Sequence, residues 1–255
     1  MSSPHLVTVA ALVRRAMNEL TRVPGAAIPG VLAPTMFLLG FTAIFSGLTL
    51  LPGFDTESFI SFFVPVSLMQ AAAFTGAATG VNLARDIEQG WFDRLLVSPA
   101  PRSALLAGLV ISASLRALIP VTVVLAVAFP LGAHFPGLGG LAIAIIVVMS
   151  IAAVAAGWGV TLALRFRTQA AAPLMQAGML LAVLTTTAYA PLELLTGWLQ
   201  EVARINPVTQ VLEAARQGFI GPVTWAETWP GLLAAFALAA LLSALALRGM
   251  RRMAA

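Results

Sequence analysis

The stretch ALIPVTVVLAVAFPLGAHFPGLGGLAIAIIVVMSIAAVAAGWGVTLAL, residues 117–164, contains no Asp, Glu or Arg. It is more than twice as long as the about 20 apolar residues one helix needs to cross a bilayer core. It breaks once, at His134-Phe-Pro-Gly-Leu-Gly-Gly140, where proline and clustered glycines end one helix and permit another to start. Two spans follow, near 104–131 and 138–164. Outward from them, residues 23–54, 58–84, 168–192 and 228–247 are also free of charge. They predict further spans near 28–50, 59–83, 171–191 and 229–248. The expected fold is an all-α integral membrane protein with six transmembrane helices.

Composition agrees. Of 255 residues, 60% are apolar and 9% are charged, against about 25% charged in soluble domains. That balance excludes a water-soluble enzyme and a disordered chain. All 14 basic residues are Arg, and Lys and Cys are absent. Without Lys there is no Gly-Lys-Ser/Thr phosphate loop and no Schiff-base nucleophile. Without Cys there is no disulfide, iron–sulfur cluster or thiol catalysis. His5 and His134 lack partners at metal-ligand spacing, so no metal is expected. No cleavable signal peptide is read, because the first apolar run is too long for one.

The Arg positions give the orientation. Arg14, Arg15, Arg22, Arg85, Arg94, Arg102, Arg165, Arg167, Arg248, Arg251 and Arg252 fall on one side of six spans. Arg204 and Arg216 fall on the other, where the first loop carries Asp55 and Glu57. Basic loops stay cytoplasmic, so both termini are expected inside. The pI near 11.2 then reflects topology, and no nucleic-acid partner is implied. Residues 5–23 place Leu6, Val9, Leu12, Val13, Ala16, Met17 and Leu20 at helical spacing, which reads as an amphipathic helix on the membrane surface. Arg116 alone lies well inside a span. It is expected to snorkel to the cytoplasmic surface or pair across subunits rather than touch substrate.

Residues 85–99 alternate charge with bulk. Ile87, Trp91, Leu95 and Val97 share part of a helical face, and Pro99 and Pro101 end it. Such a helix lies on lipid or docks a cytosolic partner. Residues 192–222 read as two short amphipathic helices broken at Asn206-Pro207, able to dip into the outer leaflet and return. Glu213 and Arg216 stand three apart and can pair on one face. A pathway for an amphiphilic molecule would be apolar, with aromatics and a few uncharged polar groups. Phe37, Phe41, Gln70, Thr75, Thr79, Gln176 and Thr187 are the candidates. Helix packing is the competing role, and Gly76-x-x-x-Gly80 permits close helix approach.

Glu88-Gln-Gly90-Trp-Phe-Asp93-Arg94-Leu95-Leu96-Val-Ser98-Pro99 resembles the loop signature of type-2 ABC exporter permeases. Ile205-Asn206-Pro207-Val-Thr-Gln-Val-Leu-Glu213-Ala-Ala-Arg216 resembles that family's Asn-Pro segment before the last span. The overall pattern is similar to the daunorubicin-resistance-like permeases, with Trp91 where Thr is frequent and Gln210 where an aromatic is frequent. The resemblance implies a plasma-membrane half-transporter exporting hydrophobic drugs. Two permease chains, identical or paired homologues, would each rest on an ABC-type ATPase subunit that holds ATP and magnesium. Residues 85–99 would be the coupling helix, with Arg85, Asp86, Glu88, Gly90, Trp91, Asp93, Arg94, Leu95 and Leu96 at the contact. Asn206, Pro207, Glu213 and Arg216 would belong to a re-entrant gate. Access would alternate at an interface between spans two and five of facing subunits. The alternatives are export of a lipid or lipid-linked glycan, or a membrane scaffold. An intramembrane enzyme is disfavoured because the spans lack Asp, Glu and His away from their ends.

The orientation is directly testable in this cysteine-free chain. A membrane-impermeant maleimide added to intact cells is expected to label Glu193→Cys and to spare Ala100→Cys. The reverse pattern would invert the topology.

Overall fold

Helix α3 (Phe59–Glu88) is the axis of the molecule. Ser58 caps its start, the hydroxyl accepting the Ser61 N–H. Its 30 residues extend about 45 Å, enough to exceed a roughly 30 Å hydrocarbon core and project beyond it. The computed structural model describes residues 4–22, 28–54, 56, 58–97 and 100–253. It packs α2 (Ile28–Phe45), α5 (Arg102–Ala128), α6 (Gly137–Phe166) and α7 (Ala172–Leu184) around α3. Val23, Asp55, Glu57, Ser98 and Pro99 lie outside the described residues, as do the side chains of Leu20 and Arg22. Among the described residues there is no strand.

The tightest crossing joins α3 to α6. A Cβ on Gly76 would overlap Ala152 and Ala155, and one on Gly80 would overlap the backbone of Gly159. In lipid, helices gain nothing from hydrophobic burial against each other, so contact depends on small residues that let backbones approach. The Gly76–Gly80 spacing therefore marks this intrachain seam.

The remaining elements sort to two ends. At one, α1 (Pro4–Arg22) rests Leu12 on Gly108 of α5. There α4 (Trp91–Val97) follows α3, and α10 (Trp225–Arg252) finishes with Gly249 against Leu164. At the other end lie α8 (Gly197–Ile205) and α9 (Pro207–Arg216). α1 and the last turns of α10 thus share the α4 end. On α2, Ile28, Leu32, Met36 and Ile44 are exposed at spacings of four or its multiple, and α10 exposes Leu233, Phe236 and Leu241. These stripes suit a lipid environment.

Among the described residues, five helices are long and apolar enough to cross a membrane: Gly30–Leu50, with its last turn 3-10, then α3, α5, α6 and α10. The expected span at 171–191 is different. Its α-helix stops at Leu184 after 13 residues, about 20 Å of rise. The cause is local. The hydroxyls of Thr185 and Thr186 bond back to the carbonyls of Leu181 and Val183, and Asn206 Nδ2 donates to the carbonyls of Ala182 and Thr185. These bonds satisfy the helix end and divert the chain.

Two further expectations change. The helix expected at 85–99 is not continuous. Residues 85–88 are the last turn of α3, Gly90 turns the chain at φ 68° and α4 begins at Trp91. Span two is also not a free face. α3 is enclosed by its own chain along most of its length, so the proposed opening between spans two and five of facing subunits loses one of its walls.

The seam predicts an asymmetry between glycines. Gly80→Val is expected to destabilise the detergent-solubilised protein by about 2 kcal/mol or more through overpacking. Gly40, with nothing near its Cβ position, is expected to accept Ala without loss. Thermal unfolding of both variants checks this.

Candidate functional site

At the α4 end, Asp86 and Glu88 flank Ile87 and tie the loop in two directions. Arg15 Nη2 of α1 donates to both Asp86 oxygens, at 3.0 and 3.1 Å. The same guanidinium lies 3.6 Å from the Trp91 ring centroid. A planar cation can serve both partners at once, which Lys could not do. Glu88 turns the other way. It accepts the Thr168 hydroxyl at 2.7 Å, the Gln169 N–H at 3.0 Å and the Gln169 side-chain amide at 2.6 Å. The last turn of α3 is therefore bonded to α1 and to the α6–α7 connection.

Between these ties Phe92 is 1% exposed and anchors α4 in the core. Leu95 and Leu96 pack partly against that core. Arg85, Asp93, Arg94 and Val97 face outward. Of the nine expected contact residues, Asp86, Glu88 and Trp91 are thus engaged within the chain, and Gly90 makes the turn. Arg15, Phe92, Thr168 and Gln169 were missed. Arg15 stands 71 residues from Asp86, and no local spacing connects them.

Just beneath, Arg116 is 8% exposed and donates to Thr79 Oγ1 at 2.7 Å. It lines a small cavity of mixed character with Glu19, Asn82 and Asp86 under α1. The guanidinium is thus turned toward the α4 end and sheltered by its own N-terminal helix. It is not placed for pairing across subunits. Thr79 is its partner and not a face open to the exterior.

At the opposite end, the other expected residues come together. Arg216 is 2% exposed. Its Nη1 donates to Glu213 at 2.8 Å, its Nη2 to the Thr187 carbonyl at 2.9 Å and its Nε to the Phe62 carbonyl at 3.3 Å. The Thr187 hydroxyl bonds Glu213, and the Phe62 ring lies 3.8 Å from the guanidinium. A buried cation is tolerable only when satisfied this fully. Asn206 holds α9 to α7: its Oδ1 accepts the Val208 N–H while its amide takes the α7 carbonyls. Pro207 supplies the first residue of α9, where no N–H is needed.

Phe37, Phe41 and Phe45 stack along α2 at 5.7 and 5.6 Å. Phe41 also meets Phe63 at 5.2 Å and Tyr189 at 5.4 Å. Beside this group a cavity of about 390 Å³ opens between Phe54, Phe62, Thr187, Glu193 and Glu213. Thr75 bonds back to the Ala71 carbonyl and faces Gly30 of α2. Gln70 is buried inside the chain, and neither amide atom has a protein partner. Gln176 is exposed on α7. The expected lining is thus dispersed. Phe37, Phe41 and Thr187 gather at the Arg216 end, whereas Gln70, Thr75, Thr79 and Gln176 do not join them. Among the described residues, no three His, Asp or Glu side chains converge to hold a metal.

The family described as "ABC-2 type transporter" matches residues 8–220. The chain belongs to the ABC-2 type transporter family. The match spans α1 through α9 and so takes in both constellations. The chain is 27% identical over 208 residues to the daunorubicin resistance ABC transporter permease protein DrrB1 of Streptomyces coeruleorubidus, covering 80% of this chain and 71% of that one. It is 27% identical over 208 residues to the putative transport permease ycf38 of Cyanophora paradoxa, with the same coverage. It is 28% identical over 178 residues to the probable multidrug ABC transporter permease YbhR of Escherichia coli K12, covering 67% of this chain and 48% of that protein. As an ABC-2 permease domain it is a multipass membrane protein, and the family implies an ABC-type ATPase partner.

The Arg216 network predicts a contrast between two arginines. Arg216→Lys cannot reproduce the fork of contacts and is expected to cost about 2–3 kcal/mol. Arg204→Lys changes an exposed pair with Glu201 and is expected to cost less than about 0.5 kcal/mol. Equal shifts in thermal unfolding would contradict the assignment.

Proposed function

We propose that this ABC-2 permease is the membrane subunit of an ATP-driven exporter of hydrophobic drug-like molecules. It works as one of two permease chains, each resting on a separate ATPase subunit. The observation that carries the reading is the double tie at the α4 end. Asp86 bonds to α1 and Glu88 bonds to the α6–α7 connection, while Arg85, Asp93, Arg94 and Val97 remain exposed. A knob that is braced within its own chain and charged outside is suited to receive force. ATP and magnesium belong to the partner, since a chain without Lys has no phosphate-loop lysine. The orientation proposed is both termini in the cytoplasm, with α7 completing a sixth crossing and α8–α9 re-entering the outer leaflet.

In this reading α3 is the transmission. One continuous helix leads from Asp86 and Glu88 to Phe59, Phe62 and Phe63, and there meets Arg216. Tilting its cytoplasmic end moves the aromatic group against Phe41 and Tyr189, and with it the cavity beside Glu213. Phe37, Phe41 and Thr187 serve the cargo at that end. Asn206, Pro207, Glu213 and Arg216 set the outer gate. The drug-like cargo is supported by the names of DrrB1 and YbhR and by the apolar, aromatic character of the site.

The test separates docking from transmission. Arg94→Ala is expected to weaken co-purification with the ATPase subunit. Glu88→Ala is expected to retain co-purification while losing most cargo-stimulated ATP hydrolysis. Unchanged coupling in both variants removes the function assigned to this loop.

A further inference from the structure

Between α5 and α10, near the α4 end, lies a groove of about 360 Å³ with almost wholly apolar walls. That volume is within the roughly 300–1,000 Å³ of ligand sites. Among the described residues no other element fills it. Its walls are helical stripes, and each stripe can be followed by the four-residue spacing of neighbours on one helix face. On α5, Val110 and Leu106 lead to Arg102, and Ile111 and Ala107 lead to Ser103. On α10, Ala244 leads to Arg248, and Ser243 and Leu247 lead to Arg251. Three of the four stripes, followed one turn beyond the lining residues, reach an arginine: Arg102, Arg248 and Arg251. Among the described residues no carboxylate pairs with Arg102, Arg248 or Arg251. The first turn of α5 opens there as well, with no side-chain cap on its N–H groups, so its positive dipole end adds to the charge.

We infer that this groove is a binding site for one anionic phospholipid of the adjacent leaflet. An acyl chain lies between α5 and α10, and the phosphate sits among Arg102, Arg248 and Arg251. Charge complementarity selects the occupant. A helix from a second chain would satisfy the apolar walls but would leave three unpaired arginines at the mouth. A zwitterionic lipid would bring its own cation there. Guanidinium recognises phosphate through paired hydrogen bonds, and basic side chains at a membrane surface attract anionic headgroups. The site is separate from the α4 knob and the aromatic group. It places a lipid against the first turns of α5 and the last turns of α10.

The test is lipid retention by the purified full-length chain in detergent, read by native mass spectrometry with added phosphatidylglycerol or phosphatidylcholine. One tightly held phosphatidylglycerol per chain is expected. Arg102→Gln and Arg248→Gln are each expected to weaken it roughly fivefold, while Arg204→Gln at the far end leaves it unchanged. Ala107→Phe with Ala244→Phe fills the groove without altering charge and is expected to abolish retention. Unfolding midpoints of the arginine variants verify that they remain folded. Equal retention of phosphatidylcholine, or undiminished phosphatidylglycerol in the arginine and groove variants, overturns the proposal. So does disulfide cross-linking of two copies through Ala244→Cys, which would place a second chain in the groove. This readout is independent of transport and of the coupling assigned to residues 85–97.

Discussion

The contact of Gly80 with Gly159 governs the rest of the architecture. A helix enclosed by four others in an apolar layer cannot be held there by exclusion from water, because the layer is as apolar as the helix. Close backbone approach supplies the attraction instead, and only residues without bulk permit it. Gly76, Gly80, Ala152, Ala155 and Gly159 provide that surface along α3 and α6. With α6 seated, α3 becomes the axis against which α2, α5 and α7 pack. α2 and α10 are left at the periphery with exposed apolar stripes.

Enclosing α3 concentrates the chemistry at its two ends. Polar groups along its middle turn inward, as with Thr79 beneath Arg116 and Thr75 against Gly30. At one end Asp86 and Glu88 reach in opposite directions. At the other, Phe62 offers both its carbonyl and its ring to Arg216. The two constellations belong to different parts of the sequence but to one rigid element. The proposed coupling of a cytosolic motor to a distant gate needs such an arrangement. A lipid held between α5 and α10 would bear on the same bundle from outside.

Much of this was legible in the residues. Charge-free windows located the long helices because each charge inside a bilayer is expensive. Amphipathic spacing marked α1, and Asn206-Pro207 marked the break between α8 and α9. The span expected at 171–191 shows what that approach leaves open. Hydropathy registers the apolar run, but the end of α7 is decided by the Thr185 and Thr186 hydroxyls and by Asn206, a residue well downstream. The single helix expected over 85–99 failed for a related reason. Gly90 adopts a positive φ that the periodicity of its neighbours does not report.

The sequence by itself determined the class of molecule. Apolar runs of sufficient length must be helices in a bilayer, since every backbone group there needs an internal partner. The distribution of arginines supplied the expected orientation, and the absence of Lys excluded a phosphate-loop lysine. Only the tertiary structure decided which polar groups meet. Arg15 and Asp86 lie 71 positions apart, and Arg216 and Phe62 lie 154 apart. Such pairs form because helix packing brings distant turns to the same level, and the energetic need to satisfy a buried or half-buried charge selects among the partners available there. Local spacing carries no record of that selection.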